Sequence, residues 1–259
     1  MADVSVEHLI HPEIAAGGYP RGDHRMAYIL RVNALLHPDM VVLDFGAGRG
    51  KWSQDPVPLR RWLGDFRGRC ARVIGCDVDP DIAENPQVDE KLLLAPGAAL
   101  PLADGSVDLI SAFSVLEHVE DEVFWAQELD RVLRPGGWLC AWTPNKWGAI
   151  AVGARLIPSS LHAAVLRRLE PRRQEEDSFP PVYHMNTPAA LRRLFPVDRY
   201  EHCSYLYVGR PFYHLDKVAV ARAWQAIGWL TPTPLKPYMM AFIRKRGGTV
   251  REGAWPIGR

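Results

Sequence analysis

The strongest chemical signal in the sequence is a glycine-rich stretch that directly follows an apolar run. Asp44, Gly46, Gly48 and Gly50 alternate with other residues after the apolar residues 40–43. Glycine lets a backbone turn sharply and approach a ligand with no Cβ in the way. The N–H groups of such a loop bind carboxylates or polar tails. Because the carboxylate of Asp44 suits an ammonium group better than a phosphate, the loop predicts a zwitterionic amino-acid ligand.

Spacing separates this loop from two other nucleotide-binding motifs. A P-loop needs GxxxxGK[ST], but Trp52 follows Gly50-Lys51 and Phe45 stands where the first glycine belongs. A dinucleotide fingerprint, GxGxxG, needs its third glycine where Lys51 stands. The P-loop motif therefore fails and the dinucleotide fingerprint is weakened, which leaves a dehydrogenase as the last of the alternatives. A plain strand–helix turn with no ligand remains the alternative.

A second acid follows the next apolar run. Residues 72–77 read as a buried strand that ends in Asp77, and a carboxylate at this place can accept two hydrogen bonds from a ribose diol. Asp79 either shares that role or is a turn residue before Pro80, and residue type favours the turn.

Apolar runs and helical spacing alternate along the chain. Strands are predicted at 40–45, 72–77, 106–112, 137–142, 200–208 and 238–243, and helices at 26–36, 120–133, about 147–169, and from Asn186 or Thr187 onward. Such alternation predicts an α/β fold with a parallel sheet, whose strand ends collect ligand-binding residues at one edge.

Four segments together resemble the class I S-adenosylmethionine-dependent methyltransferases. In chain order they are VVLDFGAGRGKW, VIGCDVDP, LPLADGSVDLISAFSVLEHV and LRPGGWL. The resemblance covers about residues 40–143. It implies a Rossmann-like, doubly wound, seven-stranded sheet whose last strand is antiparallel, with 200–208 and 238–243 as a closing, hairpin-like pair. Residues 1–259 would form a single domain, with an N-terminal helical segment at 1–39 and a helical cap insertion at about 144–195.

The resemblance also implies S-adenosylmethionine as the cofactor, with its methionine part on the glycine loop and its ribose on Asp77. Predicted cofactor contacts are Asp44, Phe45, Gly46, Ala47, Gly48, Gly50, Asp77, Val78, Ala98 and Phe113. Relatives often carry an acid before the LPLADGS-like segment that contacts adenine. Residues 95–99 contain none, so the assignment of Ala98 rests on backbone or apolar contact.

Catalytic candidates follow the strand at 106–112 and lie in a later loop. His118 is a candidate general base, since imidazole titrates near neutral pH, or it packs the turn; Glu117 would orient it or contact the cofactor. The loop at 175–187 brings together acids, aromatics and a histidine. His184 is the second catalytic candidate, and Asp177 and Tyr183 are acceptor-binding candidates, unless this loop only caps the next helix. No metal site is predicted.

The acceptor is only partly constrained. Methyltransferases of planar nitrogens commonly carry an Asn/Asp-Pro-Pro-aromatic motif where this chain has residues 113–116, FSVL. Oxygen, carbon and aliphatic nitrogen stay open, and the prediction is a small molecule methylated at oxygen. Methylation of tRNA or protein, and cofactor binding without catalysis, are the alternatives.

The composition limits the classes of binding partner to be expected. Lysine and arginine number 31 against 30 acids, a formal charge of +1, which argues against nucleic-acid and membrane-surface partners. No run approaches the about 18 apolar residues that span a bilayer, and the N-terminus does not resemble a secretory signal. We therefore expect a cytoplasmic protein of undetermined oligomeric state.

Overall fold

The computed structural model describes residues 6–148, 151–152, 181–209 and 217–247. Within these ranges the helices are α1 (Val6–Ile10), α2 (His24–Leu35), α3 (Pro58–Gly64), α4 (Glu122–Val132), α5 (Pro188–Leu194) and α6 (Val218–Leu230). The strands are β1 (Val41–Phe45), β2 (Arg72–Asp77), β3 (Glu90–Leu93), β4 (Val107–Phe113), β5 (Leu133–Pro144), β6 (Tyr200–His202), β7 (Tyr205–Tyr207) and β8 (Tyr238–Lys245). No helix in these ranges combines the length and apolar character needed to cross a membrane.

All eight strands form one mixed sheet in the order β3-β2-β1-β4-β5-β8-β6, with β7 also paired to β8. Strands β1 to β5 are parallel, and β8 is antiparallel to β5. Tyr200 lies opposite Lys245 and Tyr205 opposite Met240, which is one continuous register. Strands β6 and β7 are therefore two halves of one edge strand, and the expected seven-stranded sheet with an antiparallel last strand is confirmed.

Each central strand is buried on both faces. In β1, Val42 belongs to the core layer beneath α2 and α3, whereas its neighbour Leu43 belongs to the layer beneath α4 and α5. Successive side chains of a strand point to opposite faces, so a continuous apolar run is what a doubly wound sheet requires. The carboxyl ends of β1, β2 and β4 consequently lie side by side at one edge.

The N-terminal segment packs on the sheet through α2. The hydroxyl of Tyr28 bonds to Ser111 Oγ on β4 and to the carbonyl of Cys140 on β5, at 2.9 and 3.0 Å. Asp23 caps α2 through the amide of Met26. These contacts hold α2 beside the carboxyl ends of β4 and β5.

The later part of the chain partly matches the sequence expectation. Helix α5 begins at Pro188 after the cap Thr187, as predicted. The strand pair that closes the sheet is joined through α6, so it is not a hairpin. Most of the predicted helix at 147–169, and with it most of the expected cap, lies outside the described residues. Strand β3 was not predicted.

Candidate active site

The loop after β1 is shaped by glycines in the left-handed backbone region. Gly46 has a φ of +75° and Gly50 a φ of +80°. A Cβ added to Gly46 would lie 2.3 Å from Val115 Cγ2, and one added to Gly50 would lie 2.5 Å from Asn85 Oδ1. The amide of Gly46 donates to the carbonyl of Cys76, over 2.9 Å, as does that of Ala47. These glycines are therefore needed for the turn and its close packing against β2 and β4.

Gly48 differs from its two neighbouring glycines because its Cβ direction is open. With a φ of +47°, an added Cβ would contact only Asp77 Oδ2, at 3.8 Å. The amide of Gly48 donates to the same oxygen over 2.7 Å. The structure thus leaves space beside Gly48, next to a carboxylate that the loop itself holds.

The two acids after β2 have separate roles. Asp77 Oδ1 accepts from the amide of Asp79 over 2.9 Å, so both carboxylate oxygens of Asp77 are oriented by backbone N–H groups. The side chain of Asp79 accepts from the amide of Asp81 and caps a short 3-10 helix at Pro80–Glu84. The turn prediction for Asp79 is confirmed, and Val78 between the two acids is exposed.

Sequence reasoning missed Asn85, which fastens the loop. Its side-chain amide donates to the carbonyls of Ala47 and Gly48 at 3.1 and 3.0 Å, and its Oδ1 accepts from the amide of Gln87. Asn85 is buried. The dipeptide Asn85-Pro86 signals only a turn, so no local pattern linked it to a loop 37 residues earlier.

Asp44 lies at the base of this site. Burial and the nearby charge of Asp77 raise the pKa of Asp44 to about 7, against a hydrogen bond with Ser111 that lowers it. A carboxyl group in this state gains from a cationic partner, which would restore its charged form. The arrangement suits a ligand with an ammonium group.

The remaining predicted cofactor residues differ in what they expose. The Phe45 ring is buried against Trp125, with ring centres 5.1 Å apart, so only the backbone of Phe45 faces the loop. Phe113 is half-buried, and its ring lies 4.9 Å from the ring of Trp52. Ala98 is half-buried in a turn closed by its amide and the carbonyl of Ala95.

A buried polar network follows β4. Thr143 donates to Glu117 Oε2 over 2.7 Å, and Asn186 donates to Thr143. Burial raises the pKa of Glu117, whereas the nearby charge of His118 acts in the opposite direction and favours the carboxylate. Ser114, just before this turn, has a φ of +62°, and non-glycine residues with such angles concentrate at functional sites. His118 Nε2 lies 4.0 Å from Glu117 Oε1, which places a carboxyl group behind the imidazole.

The loop that precedes α5 packs on the same turn. The carbonyl of Glu117 accepts from the amides of Val182 and Tyr183, at 2.7 and 3.1 Å. Tyr183 is buried and has a φ of +59°. His184 Nδ1 lies 2.8 Å from the carbonyl of Glu120 and 3.3 Å from Glu122 Oε2, so its ring is directed at the start of α4. Asp177 lies outside the described residues.

An aromatic cluster covers the carboxyl ends of β4 and β5. The ring of His24, on α2, stacks on Trp142 with centres 4.5 Å apart. The rings of Phe113 and Tyr238 also stack with Trp142, with centres 4.9 and 5.3 Å away, and Trp142 Nε1 donates to Tyr207. Burial lowers the pKa of His24 to about 3, so its ring is neutral at physiological pH. Sequence reasoning missed this cluster because its members come from five separate elements.

Comparison with known proteins gives matches over the middle of the chain. Residues 43–141 match the model of a family described as "Methyltransferase domain". A probable S-adenosylmethionine-dependent methyltransferase of Mycolicibacterium smegmatis is 42% identical over 140 residues, 52% of this chain and 49% of that protein. An uncharacterized methyltransferase of Mycobacterium sp. (strain KMS) is 36% identical over 99 residues, 37% of this chain and 35% of that protein. The chain thus spans about half or less of these relatives.

Solved structures support the fold. Geranyl diphosphate C-methyltransferase from Streptomyces coelicolor, in complex with Mg2+, geranyl diphosphate and S-adenosyl-L-homocysteine, matches with a TM-score of 0.53 at 15% identity, over 86% of this chain and 77% of that one. The [4+2]-cyclase SpnF matches with a TM-score of 0.52 at 17% identity, over 86% and 81%. At such low identity the likeness concerns the architecture alone.

Proposed function

Because this chain belongs to the class I S-adenosylmethionine-dependent methyltransferases, through the domain matched at residues 43–141, we propose that it transfers a methyl group to a small-molecule acceptor, at oxygen. Its cofactor is S-adenosylmethionine. The observation that carries the proposal is the order of strand ends along one edge of the sheet: Asp77 after β2, the glycine loop after β1, and Glu117 with His118 after β4.

The residues of this edge fit the cofactor. The open space beside Gly48 is bordered by the Asp77 carboxylate, which suits a ligand that carries vicinal hydroxyls. We assign the ribose hydroxyls to Asp77 and the methionine ammonium to Asp44. The backbone of Phe45, Gly46, Ala47, Gly48 and Gly50 would line the methionine part, and Val78, Ala98 and Phe113 would border the adenosine.

When bound, S-adenosylmethionine supplies a methyl group on a sulfonium, an electrophile that already carries its leaving group. The protein's own task is to align the acceptor, and alignment of this kind contributes about 7–11 kcal/mol. Tyr183, whose amide donates to the carbonyl of Glu117, is proposed to border the acceptor. Asp177, which lies outside the described residues, remains a sequence prediction of an acceptor contact.

An oxygen acceptor needs a proton acceptor when its hydroxyl is not ionised. We propose that the imidazole of His118 accepts this proton and that Glu117, 4.0 Å behind it, is a positioning residue that favours the resulting imidazolium. A positioned base of this kind contributes about 10²–10⁴-fold to a rate. His184 is the second candidate base, although its contacts with Glu120 and Glu122 favour a role in holding the loop.

The proposal is tested with methyl-tritiated cofactor and a cell extract split into low-molecular-mass and macromolecular fractions. Formation of S-adenosylhomocysteine and transfer of label to the low-molecular-mass fraction are expected, and hot hydriodic acid should release the label as methyl iodide, as it does from O-methyl groups. Label in tRNA or protein would establish the macromolecular alternative. Tight cofactor binding with no product in either fraction would indicate a binding protein without catalysis.

A further inference from the structure

Helix α6 presents an apolar face to solvent. Its exposed positions are Ala219, Arg222, Ala223, Trp224, Ala226, Ile227, Trp229 and Leu230. Arg222 is the one charged residue among them, whereas a surface helix normally carries polar residues on its outer side. Trp229 is 85% exposed and Leu230 71% exposed. Contiguous apolar surface of this kind marks an interaction site.

The charges around this face are mainly positive. Residues 217–236 contain three basic residues, Lys217, Arg222 and Lys236, and no acid. Helix α1, which packs against α6, adds the exposed Leu9 and one acid, Glu7. Asp216, just before this stretch, lies outside the described residues. An apolar face rich in tryptophan and bordered by lysine and arginine is complementary to an anionic lipid surface.

We propose that the outward face of α6, with the turn that follows it, docks on the surface of an anionic lipid bilayer. Tryptophan, isoleucine and leucine enter the boundary between headgroups and acyl chains, and Lys217 and Arg222 contact the lipid phosphates. With 13 residues, α6 is about 20 Å long, which is too short to span a bilayer and suits a helix that lies on it. The near-neutral charge of the whole chain led to the opposite expectation, but lipid binding depends on the local charge.

The docking face is continuous with the candidate active site. The side-chain amide of Asn145, just after β5, donates to the carbonyls of Pro234 and Lys236 at 2.9 and 2.8 Å. The turn after α6 is therefore fixed to the same edge of the sheet that carries the glycine loop and His118. Exposed Leu235 and Trp147 extend the apolar surface toward this edge. Docking would bring that edge to the lipid surface.

The test is co-sedimentation of the purified chain, without cofactor, with vesicles of phosphatidylcholine alone or mixed with phosphatidylglycerol. We expect binding to the mixed vesicles, weakened at high salt. Removal of charge in Lys217→Gln and Arg222→Gln should each weaken partitioning by about fivefold, the equivalent of about 1 kcal/mol per basic residue. The pair Trp229→Ala and Leu230→Ala, in one variant, should weaken it by at least about tenfold.

Trp62 supplies the matched control, because it is 60% exposed on α3, which packs against α2, whereas α6 packs against α1. Trp62→Ala should bind vesicles as the unmodified chain does. Absence of binding to the anionic vesicles, or equal losses from Trp62→Ala and the Trp229 variant, would overturn the proposal. So would a dimer in light scattering that Trp229→Ala dissociates. Calorimetry with S-adenosylhomocysteine on the same variants is independent of this result, so failure of docking is distinguishable from failure of the proposed function.

Discussion

The amide of Gly48 donates a hydrogen bond of 2.7 Å to Oδ2 of Asp77, which joins the loop after β1 to the acid that ends β2. The other oxygen of the same carboxylate accepts from Asp79. Backbone N–H groups thus orient the carboxylate, and lone pairs remain on it to accept further donors. Preorganisation of this kind reduces the entropic cost of ligand binding.

Asp77→Ala should weaken the binding of S-adenosylmethionine and S-adenosylhomocysteine by at least about tenfold, since a hydrogen bond to a charged group contributes about 1.5–3 kcal/mol. Asp79→Ala removes only the cap of the 3-10 helix at Pro80–Glu84 and should change affinity by less than about threefold, or under 1 kcal/mol. Titration calorimetry measures both. Similar losses from the two changes would indicate a general acidic patch.

A 2′-deoxy analogue of the cofactor separates ribose contact from loop support. It should bind the unmodified chain more weakly than the parent cofactor does, but bind Asp77→Ala about equally with it. If both proteins lose the same affinity for the analogue, Asp77 acts on the loop through Gly48 and not on that hydroxyl.

Gly48→Val should abolish cofactor binding while the chain stays folded. The added side chain would fill the open space beside Asp77 and force valine into a φ of +47°. Gly68→Val is the matched control, because Gly68 has a φ of +75° and open space around its Cβ direction, far along the chain from the loop. Thermal melts should show destabilisation of both variants, and calorimetry should show lost binding for Gly48→Val alone.

The raised pKa of Asp44 predicts that stability and ligand affinity change with pH in opposite directions. Its pKa is raised from 3.8 to about 7 in the folded chain, so its contribution to the free energy of unfolding falls as pH rises between these values. A ligand ammonium prefers the charged carboxylate, so affinity should rise with pH up to about 7, by at most about tenfold per unit. Asp44→Asn should flatten the dependence of both stability and affinity on pH. Thermal melts will test the first, and calorimetry in buffers of differing ionisation enthalpy the second.

The parts of the fold that were predictable are those that local chemistry specifies. β2 was predicted over its full length because a buried parallel strand needs a short, continuous apolar run. α5 was predicted from Thr187 and Pro188, which suit a helix start. β3 was missed because its four residues, EKLL, alternate between half-buried and exposed at the edge of the sheet.

The candidate site divides in the same way. The glycine loop and Asp77 lie within short, contiguous sequence motifs, so residue spacing alone predicted them. Asn85 bonds to the carbonyl of Gly48, 37 residues earlier in the chain. His24 stacks on Trp142. Such contacts depend on tertiary packing and leave no periodic signal in the sequence. The proposed acceptor side, around Glu117 and Tyr183, also depends on contacts of this second kind.

His118 is the proposed base. His118→Ala should lower the initial rate of S-adenosylhomocysteine formation, with the low-molecular-mass fraction as acceptor, by about 10²–10⁴-fold, and leave cofactor affinity within about threefold. Added imidazole should restore part of the rate, because it can occupy the space of the lost ring. His184→Ala is the control, since that ring contacts Glu120 and Glu122: a small loss without imidazole rescue is expected.

Glu117→Gln separates positioning from proton transfer. Glutamine can still accept from Thr143, so the turn should hold, but it cannot stabilise an imidazolium 4.0 Å away. We expect kcat to fall with KM little changed, because the neutral amide no longer favours the protonated ring. A raised KM together with loss of folding would assign Glu117 to structure alone. Imidazole rescue of His184→Ala in place of His118→Ala would transfer the role of base to His184.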